Sequence, residues 1–92
     1  MNKLERAARA KELLEGIIFK EVHAEIRNEI ITALETVAFD DIDKQHELVI
    51  SLQLHKRHKS LLERWVDDGK MEQKQIDHLN WIEKTKQRLK RA

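Results

Sequence analysis

Five histidines are the residues of this chain whose chemistry is easiest to name, because imidazole binds metals and exchanges protons near neutral pH. They are His23, His46, His55, His58 and His78. His55 and His58 stand three apart, which places both imidazoles on neighbouring positions of one helix face. The local run is His-Lys-Arg-His-Lys, however, and its three cations oppose a divalent ion. With no Cys and no His-Glu-x-x-His, we predict no metal site, His55 at the edge of a core and His58 in solvent.

Nucleophilic catalysis has equally little support in the sequence. The chain has two Ser and three Thr, none in a nucleophile elbow, and its two Gly cannot build a phosphate-binding loop. A helical chain of 92 residues also offers no obvious concave pocket of the usual ligand-binding size. We therefore predict a protein that is not an enzyme, has no cofactor and has no small-molecule substrate.

Clusters of Lys and Arg are the best candidates for binding. The first cluster is Lys56, Arg57 and Lys59, followed by Trp65, and we predict that these four residues contact a protein partner. The second cluster offers a nucleic-acid surface as the alternative, because phosphate contacts need only such cations; it is Lys84, Lys86, Arg88, Lys90 and Arg91. Cations near the end of a helix also stabilise its negative pole, so this pattern is not specific for nucleic acid.

Length and composition restrict the class of protein. Ninety-two residues predict one domain, residues 1–92. The chain has no Pro, only two Gly and no alternating apolar pattern, so we predict an all-α fold. The absence of Cys suits a reducing cytoplasm. No apolar run approaches the roughly 20 residues of a membrane span, so we expect no membrane association.

The stretch 43–69 must position the first basic cluster. Its apolar face recurs at helical spacing along Leu48, Leu52, His55, Leu62 and Val66. Asp43 is the predicted N-cap, and Gly69 is predicted to end the helix. Because such a face is unfavourable in water, a second helix or a second chain must cover it.

The remaining elements are predicted around that helix. A short amphipathic helix with a small-residue face spans 3–15, and Gly16 then breaks or bends the chain. A second long helix spans 17–39. The short connection 40–43 folds it back on 43–68 as an antiparallel hairpin. A last helix, 72–91, is predicted to pack across the hairpin near Trp65.

Charge is distributed unevenly along the chain. Residues 1–52 carry seven Lys and Arg against eleven Asp and Glu, or −4, whereas residues 53–92 carry eleven against six, or +5. Antiparallel helices with complementary faces would explain this asymmetry, and so would a basic surface for nucleic acid or for an acidic partner. Long hairpins with wide apolar faces often need a further covering surface, so we also expect a homo-oligomer.

The arrangement resembles a group of small helical proteins of tailed bacteriophages. The likeness covers about residues 6–71 and is carried by the segments 9–15, 19–21, Asp43, 46–48, Leu52, Leu54 and 66–70. It implies a phage-encoded accessory or virion-assembly protein in the host cytoplasm or the virion, and it supplies no catalytic residue. We thus predict function through protein–protein contact and self-association, in virion assembly, packaging or interference with a host protein. The alternative is a small DNA-binding or packaging subunit.

Overall fold

The computed structural model describes residues 1–91; the side chain of Arg91 and all of Ala92 lie outside the described part. It contains three α-helices: α1 (Lys3–Glu15), α2 (Ile17–Thr36) and α3 (Ile42–Arg91). The all-α prediction is confirmed, and residues 1–91 include no strand. The molecule measures 78 × 26 × 19 Å, so it is a rod whose length is set by α3. None of the described helices is long and apolar enough to cross a lipid bilayer.

The first helix begins at a side-chain cap and ends at a glycine. Asn2 accepts a hydrogen bond from the backbone N–H of Glu5 at 2.8 Å, which satisfies one of the free donors of the first turn. Gly16 has φ −65° and ψ 132°, an extended conformation, and its N–H donates to the carbonyl of Leu13. The sequence left open whether Gly16 bends or breaks the chain; α1 ends at Glu15 and α2 begins at Ile17, so the helix breaks there.

The third helix begins differently from the prediction. The carboxylate of Asp41 accepts from the N–H of Lys44 at 3.1 Å, so Asp41 is the N-cap and the assignment of Asp43 was wrong. The reason is that the helix already begins at Ile42, which places Asp43 in the first turn. There its charge still favours the positive end of the helix.

Gly69 does not end α3, and this is the largest departure from the predicted elements. The helix continues without a break from Ile42 to Arg91, so the predicted separate helix over 72–91 does not exist. Gly69 is buried where α1 crosses it, and a Cβ added at Gly69 would collide with the Cβ of Ala7. The glycine therefore serves a close approach of two helices, with a negative φ, and not a left-handed helix end.

The helices α1 and α2 follow one another along a single side of α3. Arg6 reaches Asp68, whereas Phe19 and His23 lie against His58, so the chain runs back along α3 as it proceeds. Since α1 begins beside Gly69, the part of α3 that follows Gly69 extends past α1. We call residues 72–91 the arm.

Burial is sparse throughout this arrangement. Ala10 and Leu62 are the buried apolar side chains of the described residues. Val22, Ile26, Ile50 and Leu54 stay exposed, so α2 and α3 cover each other's apolar faces only in part. The packing predicted for the hairpin of 17–39 and 43–68 is therefore not confirmed in detail.

Candidate functional site: a basic cleft at the helix break

A cleft of about 520 Å³ lies where α1 and α2 meet the middle of α3. Its volume falls within the range of small-molecule sites, so the expectation that the chain has no such pocket was wrong. Leu14 and Phe19, on either side of the break at Gly16, both line it. The cleft therefore spans the helix break.

Cations dominate the polar lining of the cleft. The basic residues are Lys20, Arg27, Lys56 and Lys59, and the lining includes no carboxylate. The ion pairs among residues 1–91 join other residues, Arg6 with Asp68 and Lys44 with Glu47. The four lining cations consequently repel one another without an internal counter-charge, and the potential in the cleft is positive.

Histidine rings cover one wall of the same cleft. Nε2 of His23 lies 3.1 Å from Nδ1 of His58, and one of these nitrogens donates to the other. The centroid of the His23 ring is 4.3 Å from that of His55 and 4.3 Å from that of Phe19. An N–H···N bond needs one unprotonated nitrogen, so His23 and His58 cannot both be imidazolium ions while it exists.

The environment holds the pKa of His23 below its ordinary value of 6.5. Removal of water from around the ring is the largest cause, and the positive charges of His55, His58 and Lys59 act in the same direction. Each cause disfavours a further positive charge at this position. His23 is accordingly neutral at pH 7.

The cleft is a poor site for a metal ion but a good one for an anion. Within residues 1–91, no three His, Asp or Glu side chains are arranged to hold a metal ion. The polar groups lining the cleft are instead four ammonium or guanidinium groups, two imidazoles and the hydroxyl of Ser60. Ammonium and guanidinium groups donate only, and they bind oxyanions.

The predicted partner-binding residues occupy two separate places. Lys56 and Lys59 line the cleft, whereas Arg57 is exposed and is not part of its lining. Trp65 is half-buried beneath α1, with the guanidinium carbon of Arg6 4.6 Å from its ring centroid. The role of these four residues in binding a partner stays a prediction.

The predicted nucleic-acid residues lie on the arm. The described ones are exposed and far from the cleft: Lys84, Lys86, Arg88 and Lys90. Arg91 belongs to the same cluster, but its side chain lies outside the described part. No acidic residue interrupts 84–91, so this end of the arm is a strongly positive helix.

A second groove runs along the face of α2 that points away from α3. Three glutamates at intervals of four residues line this groove: Glu21, Glu25 and Glu29. The lining of the groove includes no cation. None of these carboxylates forms an ion pair within the described chain. Beside this acidic row, at the same spacing, lie the exposed side chains Ile18, Val22 and Ile26, of which Ile18 is 71% exposed.

The sequence-based assignment missed the α2 half of the cleft. Lys20, His23 and Arg27 recur at intervals of three and four residues, which places them on one helix face. That spacing was readable in the sequence. The apolar periodicity of α2 predicts only its packing face, and it does not show that cations on two helices meet.

Comparison of the chain with protein-family models, with curated proteins and with solved structures found no match. The resemblance to bacteriophage proteins therefore stays a prediction.

Proposed function

We propose that this protein is a non-enzymatic accessory protein that acts through protein–protein contact and associates with itself. The observation that carries the proposal is the exposure of the arm, where Leu79 is 62%, Trp81 63% and Leu89 73% exposed. Helices draw most of their stability from tertiary packing, and an exposed apolar stripe gains free energy when it is covered. A phage setting fits this proposal and rests on the resemblance alone.

The groove on α2 is the surface that best fits the arm of a second copy. Helix α2 carries two cations and four carboxylates, a net −2, whereas the arm carries six cations and three carboxylates, a net +3. Each surface also has an apolar row beside its charges. Lys86 follows Ile82 by four residues and Leu79 by seven, so a cation shares the face of the apolar stripe.

Reciprocal exchange of arms would give a closed, two-fold symmetric dimer. In such a dimer each arm covers the α2 groove of its partner, so both contacts form at once. This geometry also pairs the negative half of one chain with the positive half of the other, which accounts for the charge asymmetry.

A charge-reversal series tests the dimer. Sedimentation velocity on Glu25→Lys and on Lys86→Glu is expected to show a shift toward monomer, because each places like charges together. The double variant is expected to recover dimer. Glu35→Lys and Lys84→Glu are the matched controls, since Glu35 does not line the groove and Lys84 lies off the apolar stripe. A wild-type chain that stays monomeric at high micromolar concentration would refute self-association.

DNA binding is a second candidate, favoured by the exposed cations of the arm. A gel shift with random duplex DNA is expected to give binding that weakens steeply with salt if the arm contacts phosphates. Lys84→Glu distinguishes the two functions: it should weaken DNA binding and leave the dimer intact. No shift at low salt would remove this candidate.

A further inference from the structure

We propose that the basic cleft at the helix break binds a small phosphorylated molecule through Arg27, Lys20, Lys56 and Lys59. This inference concerns a different surface from the arm and goes beyond the proposed self-association. Four cations converge on one concavity of about 520 Å³ with no carboxylate in its lining. Random surface charge usually mixes both signs, so a cleft of one sign raises the local concentration of anions.

The donors in the cleft match phosphoryl oxygens better than a single carboxylate. The lining supplies one planar guanidinium, three ammonium groups, imidazoles and a hydroxyl, all of which can donate. A carboxylate offers two oxygens and one charge, whereas a chain of phosphoryl groups offers more acceptors and several charges. Guanidinium and ammonium groups are the usual ligands of such anions.

The other wall of the cleft suits an apolar or aromatic portion of the ligand. Leu14, Phe19 and Ala24 line it, and the Phe19 ring lies against that of His23. A phosphate ester of a ring compound, such as a nucleotide, would use both walls, whereas an inorganic polyphosphate would use the cations alone. Both sources share the phosphoryl chemistry, and the titration separates them.

The histidines report on the same positive charges, because His23 lies among them. Titratable and charged groups from two helices face His23: Lys20 and Arg27 from α2, and His55, Lys56, His58 and Lys59 from α3. Helix α1 contributes Leu14 to the lining. All of these charges are positive. An anion in the cleft offsets the electrostatic part of the lowering and so raises the pKa of His23 relative to the empty cleft.

Isothermal titration calorimetry tests the site with tripolyphosphate, ATP and adenosine as probes. We expect saturable binding of tripolyphosphate and ATP at one ligand per chain. If ATP binds more tightly than tripolyphosphate, the phosphate ester is the better ligand. If the two bind equally, the site recognises the phosphoryl chain alone. Adenosine binding as well as ATP would overturn the proposal, because the cations would then contribute nothing.

Matched variants locate the binding in the cleft. Arg27→Gln and Lys59→Gln are each expected to weaken ATP binding about tenfold or more, the usual effect of losing a charge-assisted hydrogen bond. Arg9→Gln and Lys74→Gln remove the same charges at exposed positions outside the cleft and should change affinity less than about twofold. Circular dichroism confirms that each variant is folded. If the cleft variants and the control variants lose the same ATP affinity, or if the wild type shows no saturable binding, the proposed site is wrong. Either result leaves the proposed self-association untouched.

Discussion

At Gly69 the local preference of the residue and its tertiary packing oppose each other. A glycine inside a helix costs about 1 kcal/mol relative to Ala, so an exposed Gly→Ala change would normally stabilise the helix. Here the new Cβ would collide with that of Ala7. The contact between α1 and α3 therefore depends on the absence of a side chain at this position.

We accordingly expect Gly69→Ala to lower the free energy of unfolding, by about 1–3 kcal/mol for a strained close contact. Urea unfolding of the wild type, Gly69→Ala, Ala7→Gly and the double variant measures it. The double variant should lose less unfolding free energy than the two single variants lose together. The reason is that removing the Ala7 methyl makes room for the new methyl at position 69. Additive losses would show that the two positions do not touch.

His23 makes the packing of α2 on α3 dependent on pH. Its pKa lies below 6.5 in the folded chain, first because of desolvation and then because of the neighbouring positive charges. As the pH falls through 6.5, the unfolded chain takes up a proton at His23 before the folded chain does, so protonation favours unfolding. The contribution of His23 to stability is therefore fully present above pH 6.5. It is lost progressively as the pH falls from 6.5 to the lowered pKa of His23.

Melting temperatures measured between about pH 7.5 and about pH 5.5 test this expectation. The melting temperature of the wild type should fall over this interval, and His23→Gln should reduce the fall. His46→Gln is the control, because His46 is exposed and lies outside the histidine cluster. A fall of the same size in His23→Gln and in the wild type would assign the pH dependence to other groups.

On the scale of whole helices, α3 divides into a supported half and an unsupported one. The part before Gly69 is packed against α1 and α2, whereas the arm continues past the first residue of α1. Helices draw most of their stability from tertiary packing, so the two halves should differ in local opening free energy even though the backbone hydrogen bonds are continuous.

Amide hydrogen exchange measures that difference within one molecule. In dilute solution, amides of 74–88 should exchange faster than those of 48–66, which serve as the internal control. Raising the protein concentration should slow exchange in the arm if a second copy covers it. Equal protection of both halves in dilute solution would mean that the arm is already packed.

Considered as a whole molecule, the chain is too extended for a compact domain of its length. The radius of gyration over Cα atoms is 21.9 Å, whereas a globular chain of 92 residues has a radius of roughly 12 Å. A shape of this kind keeps most apolar side chains within reach of water. Ala10 and Leu62 are accordingly the buried apolar side chains of the described residues.

Small-angle X-ray scattering provides the test of overall shape. At low concentration the radius of gyration should lie near 22 Å, the value of the extended chain. Arm exchange doubles the mass with little increase in length, so the radius should rise far less than end-to-end association would require. A dilute radius near the compact value would contradict the protruding arm.

The sequence alone determined the helical class, an interruption at Gly16 and the short connection before α3. These features depend on local preferences, which act over a few residues: the absence of Pro, the helical spacing of apolar side chains, and the carboxylates at a helix start. The basic character of 56–59 was also readable, since charge is a property of composition.

Only the tertiary structure decided the roles of Gly69 and His23. Whether a glycine ends a helix or admits a neighbour depends on what lies across from it, and Ala7 is 62 positions away in sequence. The cleft arises in the same way, because Arg27 and Lys59 line it from different helices. Sequence periodicity identifies the face of each helix, but distances between helices, and with them pKa shifts and cavities, are fixed only when the helices pack.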